Sequence, residues 1–325
     1  MAHVLRVLLT ATFAAAVPTS TQAADEIRFS VYQPAGLGCA QFEIGQEKGY
    51  FAQEGIKFKP VYVQNGPQVA QLMAAGDLDV GCGGITVWLI AKSKGVDIKA
   101  IFSTAKGNAA LLARPTIKSV KDLDGKRCGT PGLGTNHDDN LKAFARRSNI
   151  RITHIYGVGM ANVVAMYEKG EIDCMTGWEP QLAIASAKYG ARYLVDFLRP
   201  DSMESVEFAV TGEFAAKRAD VIRRFVRAAY KATLFIEQRP DEAYTMLARL
   251  LGIEKDIVSQ SYKRTIVTKP YIDVAGAEVA LADAITGQKI RASAVGNPKE
   301  FIGALVDHRY LESAIKSVEA DRWRP

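Results

Sequence analysis

Residues 56–94 of this 325-residue chain lie over residues 150–188 without a gap, at a constant offset of 94. Ile56, Tyr62, Val69, Gly76, Asp79, Gly83, Ile90, Ala91 and Lys94 face Ile150, Tyr156, Val163, Gly170, Asp173, Gly177, Ile184, Ala185 and Lys188. Where the residues differ, character is kept: Phe58 faces Ile152, Leu72 faces Met166 and Asp77 faces Glu171. A chain that carries one supersecondary unit twice is constrained to build two similar bodies. Each copy opens with a β-type run, Ile56 to Val63 or Ile150 to Tyr156, and continues through a Gly-bearing turn into apolar residues at helical spacing. Pro67 suits a first helical turn, and Gly76 and Gly170 suit the left-handed residue that ends a helix. A second short strand follows, Leu78 to Gly81 or Ile172 to Met175. Strand, helix, strand in this compass predicts a βαβ unit with a parallel pair. The fold class is therefore α/β, with two sheet-and-helix lobes facing each other across a cleft. Open α/β sheets bind ligands beyond the carboxyl ends of their strands, so two lobes offer two sets of loops to one ligand.

Met1 to Ala23 has the form of a cleaved secretory signal: Arg6, an apolar run from Val7 to Val17, and the small-residue ending Thr21-Gln22-Ala23. The run is too short to span a bilayer, no comparable run follows, and no cysteine near the cleavage point invites a lipid anchor. A soluble protein of the bacterial periplasm is expected. Loss of Arg6 turns 41 basic and 35 acidic side chains into 40 and 35, a mildly basic balance with no run of lysine or arginine, so nucleic acid is not an expected partner. Cys39, Cys82, Cys128 and Cys174 sit at predicted strand ends without zinc-site spacing; the preferred reading is small buried residues, with Cys39–Cys82 as the pair if one forms.

Outside the repeat, Ile27 to Tyr32 reads as an opening strand and Gln33 to Gly38 as a loop leading to a helix that ends near Gly49. Asp97 to Ser103, Arg127 to Gly129 and Arg192 to Asp196 read as further strands, with Thr104 to Asn108 as a loop. From Glu213 onward the periodicity is helical, and Pro240 opens another helix at a permitted position. The carboxyl third is expected to fold back, giving a signal at 1–23, one lobe from 24–112 and 208–325, a second from 113–207, and two crossings near Ala113 and Phe208 that act as a hinge.

Four segments carry a family resemblance: Gln46 to Ile56, Ala74 to Asp79, Ser119 to Lys126, and Gly170 to Asp173 with Trp178-Glu179-Pro180. In order and spacing they resemble the nitrate, sulfonate and taurine group of periplasmic solute-binding proteins of ABC importers. The resemblance covers nearly the whole mature chain and weakens after Phe208. It implies the two-lobed periplasmic binding protein (type II) fold, closure of the lobes on a small solute, and delivery to a membrane permease and through it an ATPase. A monomer without cofactor or metal is expected. The same fold also serves binders of pyrimidine thiamin precursors and aromatic carboxylates.

Residue chemistry points the same way. Helix N-termini present unpaired N–H groups, and small loops let a solute reach them. The candidate ligand contacts are Gln33, Ala35 and Gly36 in the first loop; Asn65 in the turn after the first copy's strand; Gly83, Gly84 and Thr86 at the next strand-to-helix turn; Thr104 and Asn108; and Thr135, Asn136 and His137. Ordinary capping explains each such loop equally well when taken singly. Trp178 offers a flat apolar surface or else interlobe packing, and Glu179 either accepts from a ligand amine or serves a helix start. Trp88 reads as core. His137-Asp138-Asp139 reads as helix-start electrostatics rather than a metal set; if His137 reaches the cleft it donates to an oxyanion, and binding strengthens as pH falls. No nucleophile elbow, phosphate loop or paired histidine and cysteine supports catalysis, and the chain lacks the closely spaced cysteines of a pyrimidine-synthesising family with a related fold. A ligand sensor remains an alternative to transport. The sparsity of basic residues near these loops leaves an anion dependent on backbone N–H groups, and a sulfonate, taurine or nitrate is placed ahead of an aromatic or heterocyclic solute.

Overall fold

The computed structural model describes residues 23–107, 109–196, 205–266 and 270–325. The expected signal at 1–23, apart from Ala23, and the expected contact Asn108 lie outside the described residues. Eleven strands are assigned: β1 (Asp25–Tyr32), β2 (Ile56–Val63), β3 (Val80–Gly84), β4 (Ile98–Gly107), β5 (Ala109–Ala113), β6 (Lys126–Thr130), β7 (Ile152–Tyr156), β8 (Cys174–Trp178), β9 (Arg192–Asp196), β10 (Ser205–Thr211) and β11 (Thr265–Ile266). They form two sheets, one ordered β11-β4-β10-β3-β1-β2 and the other β7-β6-β8-β5-β9.

The repeat is visible in both. Strands β2 and β3 are joined by the helix Gly66–Ala74, and β7 and β8 by the helix Gly159–Glu168. The two strands of each copy are not neighbours, however: β1 lies between β2 and β3, and β6 between β7 and β8, parallel to both. The expected parallel pair is thus opened by the strand that precedes each copy. The equivalence runs further than the sequence match, because β2-β1-β3-β10-β4 and β7-β6-β8-β5-β9 correspond strand for strand, with β10 and β5 antiparallel to their neighbours.

The repeated Gly and Asp have a common physical cause. The Asp79 carboxylate accepts from the Arg28 backbone N–H at 2.8 Å and from its guanidinium, while the same guanidinium donates to the Gly76 carbonyl at 2.6 Å. In the second sheet Asp173 accepts from the Arg127 backbone N–H at 2.9 Å, and the Arg127 guanidinium donates to the Gly170 carbonyl at 3.2 Å. Each clasp ties the helix end to the inserted central strand. Gly76 and Gly170 have φ of 76° and 81°, the left-handed region that a Cβ disfavours.

Several strand limits differ from expectation. Strands β3 and β8 begin two residues later, after the Asp clasp, and Thr104 lies inside β4 rather than in a loop. Ala109–Ala113 pairs with β8 and β9 and so belongs to the second sheet, ahead of the crossing expected near Ala113. Residues 197–204, just before the expected second crossing near Phe208, lie outside the described residues.

Both sheets are covered on two faces. All five residues of β5 are buried, Ala109, Leu111 and Ala113 in one cluster and Ala110 and Leu112 in the other, the period-two partition of a central strand. The first sheet packs an aromatic cluster of Phe29, Phe42, Phe51, Phe58, Phe208 and Phe225, the last from the long amphipathic helix Ala219–Gln238. Trp88 is fully buried, its indole N–H donating to the Gly83 carbonyl at 3.0 Å, as a core residue should.

The four cysteines are not free. Cys39 is bonded to Cys82 and Cys128 to Cys174. The first pairing is the one the sequence singled out. The second corrects the expectation of buried thiols: β6 and β8 are adjacent, and their register sets Cys128 directly opposite Cys174, with Cα atoms 4.5 Å apart.

Candidate functional site

The carboxyl ends of β1 and β3 in one sheet and β6 and β8 in the other converge on a single cavity of about 70 Å³, by that measure room for roughly five waters or one small solute. Of the predicted contacts, Ala35, Gly36, Gly83, Gly84, Thr135, Asn136, His137 and Trp178 line it. Three helices start at its wall: Gly66–Ala74, Ile85–Ser93 and Asn136–Arg147. Each directs the partial positive charge of its N-terminus toward this region, although Asn65 and Thr135 each cap one N–H of the first and third.

Close approach between the sheets depends on two glycines. A Cβ at Gly36 would lie 2.9 Å from Cδ1 of Trp178, and one at Gly84 would overlap the Asn136 amide. Both contacts join elements of different sheets. Trp178 is 8% exposed, its ring 5.3 Å from the His137 ring and 5.9 Å from that of Tyr32, and its indole N–H has no hydrogen-bond partner. Tyr32 is fixed by donating to the Cys82 carbonyl at 2.8 Å, beside the Cys39–Cys82 disulfide.

The ionisable groups are few. Neither lysine nor arginine lines the cavity. Burial pushes the His137 imidazole down to about 3, so it is neutral across the physiological range. Burial thus works against the expected strengthening of binding through His137 as pH falls. Next along the helix, Thr135 caps the Asp138 N–H at 3.2 Å, and Asp138 accepts from the Gly134 N–H and from Lys142 at 2.7 Å. Burial alone would raise the Asp138 pKa, but His154, Lys142 and the Gly134 N–H hold it below the usual carboxylate range. Lys289, from the carboxyl-terminal part of the chain, bridges to Asp139 at 2.8 Å and to Asp138 at 3.4 Å.

Other predicted contacts stand away from this cavity. Thr86 is buried in the helix that follows Gly84, and Thr104 donates to the Val206 carbonyl. Asn65 caps its helix by accepting from the Gln68 N–H, its amide near Gly132 of the other sheet. Glu179 is fully buried and accepts from the Ala183 N–H at 3.0 Å, from Tyr193 at 2.7 Å and from Ser261 at 3.2 Å. Its helix-start role is thus the one seen, with burial raising its pKa against those three donors. Gln33 lines a second cavity of about 470 Å³, which adjoins the first and is walled by Pro34, Pro180, Gln181 and Leu250 among others.

Sequence reasoning missed Tyr32 and Glu43. Tyr32 is the last residue of β1, one position before the loop that was singled out. Glu43 belongs to the helix Ala40–Glu47 and lines both cavities. A lone acid in the small and apolar stretch Gly38 to Gly45 was the available signal.

The fold is that of periplasmic binding proteins. The alkanesulfonate-binding protein SsuA from Xanthomonas axonopodis pv. citri, solved bound to MOPS, superposes with a TM-score of 0.71 at 17% identity, covering 88% of this chain and all of that one. Among curated relatives, a putative aliphatic sulfonates-binding protein of Bacillus subtilis is 25% identical over 301 residues, 90% of this chain and 88% of its own length. The taurine-binding periplasmic protein of Escherichia coli is 26% identical over 227 residues, 65% of this chain and 69% of its own length. The family described as NMT1/THI5 like matches residues 39–243, most of both sheets and every residue of the cavity wall from Cys39 to Val206. The chain belongs to the NMT1/THI5-like family.

Proposed function

We propose that this protein is the periplasmic solute-binding component of an ABC importer, and that the cavity between its two sheets holds a small organic solute with an oxyanion or other strong acceptor group. The observation that carries this reading is the convergence of three helix N-termini from both sheets on one cavity whose wall includes a buried, unpartnered indole N–H. The indole N–H is without an acceptor among the described residues, and a solute acceptor held there, in the partial positive field of the helix starts, satisfies it. The names of the sulfonate- and taurine-binding relatives support the same solute class.

On this reading the two sheets belong to two lobes that swing relative to one another between β4 and β5 and between β9 and β10. Solute first meets the loop around Ala35 and Gly36 and the turn at Gly83 and Gly84. Closure then brings Thr135 to His137 and Trp178 against it, and a ligand touching both lobes stabilises the closed state by its differential affinity. The closed form is what a permease recognises before its ATPase acts. No covalent step is involved. The test is calorimetric titration of protein refolded free of carried-over solute, using alkanesulfonates, taurine, nitrate, aromatic carboxylates and pyrimidines. Saturable binding without turnover supports the receptor reading; chemical conversion of a bound solute overturns it.

A further inference from the structure

The two cavities share Val31, Tyr32, Ala35 and Glu43, so Glu43 stands where they adjoin. Among the described residues its carboxylate has no hydrogen-bond or ion-pair partner, and burial raises its pKa. No lysine or arginine lines either cavity. Lys142 and Lys289 are paired with Asp138 and Asp139 instead. A first-turn carboxylate needs no partner when water solvates it, but a half-buried one facing a cavity without cations carries an uncompensated charge. A solute that is only an anion meets that charge at close range. A solute that also carries a nitrogen with protons relieves it.

The cavity wall thus combines two kinds of group: helix N-termini with the Trp178 indole N–H, which attract an acceptor, and the Glu43 carboxylate, which attracts a donor. We propose that Glu43 is the recognition point for an ammonium or other N–H donor group of the solute, so that the cargo is an amino-bearing compound rather than a simple anion. This rests on the receptor reading above and narrows it. The second cavity, with Leu250, Leu251 and Ile253 on its wall, leaves space beyond Glu43 for substituents on that nitrogen.

The experiment uses matched pairs that differ only in the amino group: taurine and ethanesulfonate, β-alanine and propionate, 4-aminobenzoate and benzoate. Dissociation constants are measured by calorimetry for the native protein and for Glu43→Gln, whose shape is conserved and whose cooperative thermal unfolding checks the fold. In at least one pair the amino member is expected to bind the native protein on the order of ten- to a hundredfold more tightly, the range of one charged hydrogen bond, and Glu43→Gln is expected to reduce that ratio to about threefold or less. Equal or tighter binding of the members without the amino group overturns the inference, as does a ratio that Glu43→Gln leaves intact; in both cases something has bound and the receptor reading stands. Silence from every pair, with binding of nitrate or a pyrimidine lacking an amino group, overturns the inference and leaves the receptor reading standing; silence from those solutes as well overturns both.

Discussion

Gly84→Ala separates closure from folding. Gly84 has φ −79° and ψ 154°, extended backbone that alanine adopts without strain. Its local effects are small and opposed: alanine is a poorer helix N-cap than glycine, but it reduces the freedom of the unfolded chain, each worth about 1 kcal/mol or less. The consequence lies across the cleft, where the new methyl group would occupy the space of the Asn136 amide. Asn136 is buried, so displacing it forces an off-rotamer side chain at roughly 0.5–1.5 kcal/mol and loses polar packing worth about 1 kcal/mol. Only the closed state bears this cost, about 2 kcal/mol in all, which is roughly a thirtyfold loss of affinity. Calorimetry gives the affinity, and small-angle scattering with saturating solute gives the degree of closure. The expected result is weaker binding, a less compact complex and an almost unchanged melting point without solute, with Asn136→Ala in the same chain restoring closure. Native affinity and compactness in Gly84→Ala would refute the claim that these two residues meet when solute is held.

Three further predictions follow from the same geometry. Trp178→Ala should weaken binding at least tenfold, and Trp178→Phe, which keeps a ring but loses the unpartnered N–H, should fall between the two in calorimetry. Two buried groups should tilt stability with opposite signs in pH-dependent melting. His137, folded near 3 against 6.5 unfolded, makes the protein less stable as pH falls from about 6.5 toward 3, whereas Glu207, raised by burial to about 8 from 4.5, makes it less stable as pH rises from about 4.5 through 8. Glu207→Gln should remove the alkaline loss and leave the acid one. Replacing Cys128 and Cys174 by serine opens a 46-residue separation and should cost about 4 kcal/mol by chain entropy, read as a lower denaturant midpoint with solute affinity retained.

Much of the fold was legible because the repeat encodes local physics. The terminating glycines and the helix periodicity appear where their spacing put them, and a strand follows each helix, two residues later than expected. What the sequence did not disclose was non-local. The clasp from Asp79 to Arg28 reaches back 51 residues, and that from Asp173 to Arg127 reaches back 46, so neither arginine falls in the matched segments. The insertion of β1 and β6 into their repeats, and with it the Cys128–Cys174 bond, depends on strand order, which no single element encodes. Several residues that line the cavity lie in the strand-to-helix loops that the sequence pointed to, since loop position is a sequence property. Tyr32 and Glu43 lie just outside those loops, and only the packing of the helix Ala40–Glu47 brings Glu43 to the cavity. The neutrality of His137 was likewise hidden, because it comes from burial between two sheets that meet only in the folded chain.

The most direct test of a solute receptor that closes between two lobes is thermal unfolding of the refolded protein across a concentration series of each candidate solute, with Trp178→Ala in parallel. At a hundred times the dissociation constant the native protein should gain about 2.7 kcal/mol of stability with at least one solute class, and Trp178→Ala should need a far higher concentration for the same gain. A midpoint unmoved by every solute, or moved equally in both proteins, would contradict the account.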